Sequence, residues 1–160
     1  MRRIITLTTL ALFFAITFPA CEKEEKICDN FAKQGISDKN ALIGNWKFES
    51  FGYTTNGNTI RKKNKIRKGE MIFSESGVYH FWYGNSYGGN YMILKENEMI
   101  FYRGTVTEKG LTKEEKNVEE TIRECVFNSI CYKIDKEKLY IHTMKIKDNN
   151  VLILKKGDKE

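Results

Sequence analysis

The chain has 160 residues, 41% of them hydrophobic and 30% charged, with a formal net charge of +6. That length suits one domain with a proper core, and so mild a basic excess does not by itself point to nucleic acid. Its two histidines and four cysteines fall in no metal-ligand or redox spacing, which leaves no basis for a metal or a cofactor.

The N-terminus gives the address. Met1, Arg2 and Arg3 form a basic start, Ile4 to Phe18 is uncharged and mostly apolar, and Pro19 and Ala20 lead into Cys21. That order is a secretory signal peptide, and its apolar run is shorter than a bilayer span requires. The cut directly before Cys21 resembles that of bacterial lipoproteins, which implies loss of residues 1–20 and a diacylglycerol thioether on Cys21. Phe18 and Pro19 depart from the usual Leu-Ala/Ser-Gly/Ala sequence, and ordinary secretion with a plain thiol is the alternative. Lys23, Glu24 and Glu25 resemble the Lys-acidic-acidic export signal of surface lipoproteins in Bacteroidetes-type bacteria. The expected localisation is therefore the outer membrane, facing outward, with the membrane as a partner through the lipid. Arg2 and Arg3 leave with the signal, so the mature net charge is +4. Residues 21–40 read as a charged, polar tether.

The folded domain is expected over 41–158. Gly44 to Phe51 alternates, with Trp46 and Phe48 on one face. Gly52 to Asn58 reads as a turn. Glu70 to Ser74 places Met71 and Phe73 together, and Glu75-Ser76-Gly77 turns into Val78 to Tyr83. After a loop from Gly84 to Gly89, Asn90 to Leu94 is a strand, and a polar turn over 95–98 precedes Met99 to Tyr102. Tyr132 to Ile134, Leu139 to Ile146 and Val151 to Lys155 are three further strands, joined by turns at Asp135 to Lys138 and Asp148 to Asn150.

One segment changes period. Thr112 followed by Glu115 is a capping box, and Val118, Ile122, Cys125, Val126 and Ser129 recur at spacings of three and four. This predicts one helix from about Lys113 to Ser129. Its four apolar side chains would contribute roughly 6–10 kcal/mol on burial, before entropy. The fold class is mainly β (α+β), a curved antiparallel sheet or partly open β-barrel with one late α-helix packed on it.

Asn85-Ser86-Tyr87-Gly88-Gly89-Asn90-Tyr91 resembles the central motif of the META domain, or HslJ-like, family: Asn-x-aromatic-x-Gly-x-Tyr after an apolar strand. Leu42-Ile43-Gly44-Asn45-Trp46 is similar to that family's opening Leu-x-Gly-x-Trp. Phe73, Thr107 and the hairpin Tyr132 to Ile141 fit the same pattern, so the resemblance covers nearly all of Ala41 to Lys156. It implies structural roles for Trp46, Asn85, Tyr87, Gly89 and Tyr91. Gly84 and Glu108 to Gly110 stand where the family often carries two cysteines, so a disulfide there is absent. Lipocalin-like lipoproteins open with the same Leu-x-Gly-x-Trp.

Catalysis finds little in the chain. His80 and His142 sit inside strand patterns, where a half-buried structural role outweighs that of a base. The acidic residues fall in turns and on the outer face of the helix. Gly84 to Gly89 has no following helix or lysine and is no phosphate loop. The reading is not an enzyme.

Binding is the stronger class. Arg61, Lys62, Lys63, Lys65, Arg67 and Lys68 place six positive charges within eight residues. Lysines on an edge strand discourage sheet-to-sheet association, and this density exceeds that need. Anionic glycans, lipopolysaccharide phosphates or acidic proteins are the expected partners, with no specific nucleic acid and a monomeric chain. Tyr79, Phe81, Trp82, Tyr83, Tyr87 and Tyr91 crowd a second stretch, about half of them expected inward. Of the cysteines, Cys125 lies on the helix's apolar stripe and reads as a buried thiol. Cys28, on a mobile tether, is paired with Cys131 in a disulfide. Two functions follow: a non-enzymatic surface lipoprotein with a META-like domain that binds a macromolecule or supports the envelope, or a lipocalin-like carrier of a small apolar ligand. A solid core plugged by the helix favours the first, and a dry cavity with an open mouth the second.

Overall fold

The computed structural model describes Cys28 and residues 38–157, apart from 56–58, 95–96 and 147–148. The signal peptide, Cys21, and the export-signal residues Lys23, Glu24 and Glu25 lie outside the described residues. In chain order the elements are α1 (Lys39–Leu42), β1 (Gly44–Thr55), β2 (Thr59–Lys65), β3 (Glu70–Phe73), β4 (Val78–Trp82) and β5 (Ser86–Ile93). They continue as β6 (Met99–Val106), α2 (Lys113–Phe127), β7 (Ser129–Asp135), β8 (Lys138–Ile146) and β9 (Asn149–Lys156).

Nine strands form one antiparallel sheet in the order β6-β5-β4-β3-β1-β9-β8-β7, with β2 paired to the far half of β1. The sheet curls into a half-barrel until its end strands approach. There the Tyr132 N–H donates to the Asn97 carbonyl at 2.8 Å, the Ser129 hydroxyl donates to the Met99 carbonyl at 2.9 Å, and Glu98 bridges Cys131.

The two-residue alternation builds the concave side. Trp46, Met71, Phe81 and Tyr87 are register partners in a row across β1, β3, β4 and β5, and all are buried. The Phe81 and Tyr87 rings stack with centroids 4.7 Å apart, and Phe73 meets Tyr91 edge-on at 5.1 Å. A bulge between Phe48 and Ser50 shifts the alternation of β1, so Trp46, Phe48 and Phe51 all reach the same core. Helix α2 starts where its capping box places it: the Thr112 hydroxyl accepts the Glu115 N–H, and the Glu115 carboxylate accepts the Thr112 N–H. Its Ile122, Cys125 and Val126 are fully buried in one cluster with Phe81, Leu139, Ile141, Leu152 and Leu154. The concave side is thus filled by its own side chains and by the helix.

Several boundaries move from the sequence reading. β1 runs on to Thr55, so Gly52 is inside a strand rather than a turn. α2 ends at Phe127, with Asn128 as its C-cap, because Ser129 already begins β7. The expected loop from Gly84 to Gly89 is the largest correction. β5 begins at Ser86 and pairs Gly88 with His80 and Gly89 with Tyr79. A Cβ on Gly89 would lie 2.2 Å from the Tyr102 carbonyl, and one on Gly104 would lie 2.2 Å from the Gly88 carbonyl. The glycines permit strands β5 and β6 to approach, rather than a turn.

A second, smaller apolar cluster lies on the opposite side of the sheet. Cys28, Cys131, Val151 and Ile153 are buried there, flanked by Ile60, Ile130 and Tyr140. A disulfide joins Cys28 to Cys131 with a Cα separation of 5.8 Å, and the Asn97 amide donates to the Cys28 carbonyl at 2.9 Å. Cys28 is helical and 6% exposed, so this part of the expected tether is docked on the sheet rather than mobile. Cys125 is a free, buried thiol, and burial pushes its pKa up to about 12, with Glu124 adding to the shift.

Candidate functional site

The basic segment is strand β2 and its exit. β2 pairs with β1 on one side, from Ser50–Lys65 to Thr55–Thr59, and pairs with no second strand among the described residues. Arg61, Lys62, Lys63, Lys65, Arg67 and Lys68 are all exposed, while Ile66 between them is buried in the core. Lys62 pairs with Glu49, and Lys68 with Glu115 at the start of α2. Lys138 also meets Glu49, at 3.0 Å. Burial alone would raise the Glu49 pKa, but hydrogen bonds and charge from Lys62 and Lys138 bring it below the ordinary value. Glu115 is brought down to about 2, chiefly by Lys68 and then by its cap bonds to Thr112.

A cleft of about 590 Å³ opens between the β5–β6 edge, the loop 107–112 and the outer flank of α2. Asn85 and Glu119 tie these parts together. The Asn85 N–H donates to Glu119 Oε2 at 2.7 Å, its side-chain amide nitrogen donates to Oε1 at 2.9 Å, and its side-chain Oδ1 accepts the Lys109 N–H. The Tyr87 hydroxyl donates to Glu119 Oε1 at 2.7 Å. Burial would raise the Glu119 pKa, yet these donors outweigh it and hold the carboxyl below its usual value. Tyr87 is shifted up, first by burial and then by Glu119, with Arg123 opposing from the cleft. The Arg103 guanidinium lies over the Phe127 ring at 4.8 Å.

Of the motif residues, Trp46, Tyr87 and Tyr91 are core side chains. The Trp46 indole donates to the Leu42 carbonyl at 2.7 Å, and the Tyr91 hydroxyl to the Ser74 carbonyl at 2.9 Å. Asn85 is the joint between β4–β5 and α2, and Gly89 is the close approach of β5 to β6. Five of the six aromatics turn inward, rather than the expected half, because they share one parity of the alternation: Tyr79, Phe81, Tyr83, Tyr87 and Tyr91 are buried, and Trp82, at the opposite parity, is exposed, its indole donating to Glu70 at 2.9 Å. Sequence reasoning missed Glu119, assigning the helix carboxylates to the outer face, whereas Glu119 is only 5% exposed. The signal was present: Glu119 precedes Ile122 by three and Val126 by seven, which puts it on the apolar stripe.

Among the described residues no group of three His, Cys, Asp or Glu could hold a metal ion, and no helix is long and apolar enough to cross a membrane. His80 is exposed on β4, and His142 is buried on β8, where burial lowers its pKa to about 4.

No protein-family model matches the chain, and no curated protein sequence does. Solved structures do share its fold. A DUF4847 family protein from Bacteroides vulgatus ATCC 8482 superposes with a TM-score of 0.53 at 12% identity, over 74% of this chain and 96% of its own. A protein from Burkholderia xenovorans, solved by NMR, superposes with a TM-score of 0.53 at 13% identity, over 75% of this chain and 86% of its own. At these identities the likeness is one of fold.

Proposed function

We propose that this chain is a lipid-anchored protein on the outer face of a bacterial outer membrane, whose META-like domain binds an anionic macromolecule, a glycan or an acidic protein, without catalysis. The observation that carries this reading is strand β2 and its exit: four exposed cations on a strand paired on one side only among the described residues, and two more, Arg67 and Lys68, directly after it. The filled concave side supports surface binding over the carriage of an apolar ligand inside the barrel. The sequence features at Cys21, Lys23, Glu24 and Glu25 support the address, and one diacyl-type anchor with a charged tether needs no membrane helix.

The test neutralises Arg61, Lys63, Lys65 and Arg67 to Gln, leaving the Lys62–Glu49 and Lys68–Glu115 pairs in place. Retention on a heparin column should fall sharply, while each substitution changes stability by no more than about 0.5 kcal/mol, as for ordinary surface substitutions. Unchanged retention would reduce the cluster to edge protection. In cells, Cys21→Ala should release the protein from the membrane fraction, and continued membrane attachment would refute lipidation at this residue.

A further inference from the structure

The cleft between β6 and α2 gathers more cations than carboxylates. Arg103, Lys109, Lys116 and Arg123 line it, against the carboxylates of Glu108 and Glu119, and Arg123 also reaches Glu120 on its own helix at 3.8 Å. Glu119 is occupied on both oxygens by Asn85 and Tyr87, so it is a structural tie rather than a counter-ion for the four cations. Bringing several cations to one concave surface is unfavourable without an anion between them. The walls are not wholly polar: Phe127, Leu111 and Val106 contribute apolar surface. The site is also built rather than incidental. Asn85 binds loop 107–112 through Lys109 and the helix through Glu119. Leu111 packs so closely over Gly84 that a Cβ there would lie 2.4 Å from it. The Arg103 guanidinium carbon lies 4.8 Å from the centre of the Phe127 ring, and a guanidinium placed there carries the donors for paired hydrogen bonds to a carboxylate or phosphate. Gly88, Gly104 and Gly110 line the cleft without side chains, and a Cβ on Gly110 would meet nothing within 4 Å. The volume of about 590 Å³ falls within the ~300–1,000 Å³ typical of small-molecule sites.

We infer that this cleft binds a small organic anion of monosaccharide size, its carboxylate or phosphate held by Arg103, Lys116 and Arg123 and its ring lying against Phe127 and Leu111. The site is separate from strand β2 and does not depend on the function proposed for it. A polyanion can lie along β2 without entering the cleft, and a sugar acid can fill the cleft without touching β2.

Isothermal titration of the purified full-length protein tests this with D-glucuronate, glucose 6-phosphate and uncharged glucose. Saturable binding is expected for at least one of the two anions, which also identifies the preferred group, and glucose should bind at least about tenfold more weakly. The Lys116→Gln/Arg123→Gln double variant should weaken that binding about tenfold or more with an unchanged melting temperature. Arg103→Met, which keeps an apolar stem on Phe127, should do the same. The β2 variant with four cations neutralised should bind the anion as the wild type does, even if it no longer binds heparin. Binding of glucose equal to that of the anions, binding by neither anion, or equal losses in the β2 and cleft variants would each overturn the inference.

Discussion

The Tyr87 hydroxyl donates to Glu119 Oε1 at 2.7 Å, joining strand β5 to the inner side of the late helix. Asn85 adds its backbone N–H and its side-chain amide to the same carboxylate. The Asn-x-Tyr motif, which follows an apolar strand in the sequence, is therefore a clamp on one buried charge.

That clamp predicts an asymmetric mutational response. Glu119→Ala leaves three donors without their acceptor and should lower unfolding free energy by about 2–3 kcal/mol in urea titrations. Tyr87→Phe removes one donor and keeps the ring stacked on Phe81, so it should cost only about 1 kcal/mol. Combined with Glu119→Ala, Tyr87→Phe should cost less than it does alone, because its donor is already idle. A Glu119→Ala variant as stable as the wild type would mean that water satisfies these groups equally well.

How much of this was legible in the sequence depends on whether local or long-range contacts decide each feature. Helix α2 was legible because Thr112 and Glu115 cap it through contacts three residues apart. Strands β3 and β4 were legible because Met71, Phe73, Tyr79 and Phe81 alternate without interruption. The start of β5 was not, since Asn85 to Gly89 has turn composition, and only its fit beneath the Tyr102 carbonyl makes glycine a strand residue. The buried role of Glu119 was hidden for a related reason: its partners lie 32 and 34 residues away. The cleft combines β5, β6, a loop and α2, so no local pattern announced it. The basic strand was plain in the sequence, but the employment of Lys62 and Lys68 by Glu49 and Glu115 was not.

His142 should dominate the pH dependence of stability between neutrality and mild acid. Burial lowers its folded pKa to about 4, against an ordinary value of 6.5. Its contribution is therefore constant above pH 6.5 and is lost as pH falls from 6.5 toward 4, because the unfolded chain takes up a proton that the folded chain refuses. The full loss is roughly 3 kcal/mol, at about 1.4 kcal/mol per unit. Glu119 and Glu49, whose folded pKa values are lowered, add losses only below their unfolded value of 4.5. Thermal melts between pH 7 and pH 5 should thus show a falling melting temperature, and His142→Leu should flatten that limb. An unflattened limb in the variant would assign the acid sensitivity to other groups.

The disulfide should be the largest single covalent contribution to stability. Cys28 and Cys131 are 103 residues apart, and a closed loop of about 100 residues restricts the unfolded chain by up to about 4–5 kcal/mol. Cys28→Ser or reduction should lower the unfolding free energy by a large part of that figure. Peptide mapping of the non-reduced protein should recover Cys28 linked to Cys131, with Cys125 alkylated only after unfolding, since that thiol is fully buried. The bond also fixes where the chain leaves the domain. If Cys21 carries lipid, the seven residues from Cys21 to Cys28 span at most about 25 Å fully extended, which holds the β domain close to the membrane. With Cys28→Ser the leash lengthens toward α1, so fluorescence transfer from a labelled domain to membrane dye should fall. Unchanged transfer and unchanged stability together would show that the Cys28–Cys131 link constrains neither the fold nor its distance from the lipid.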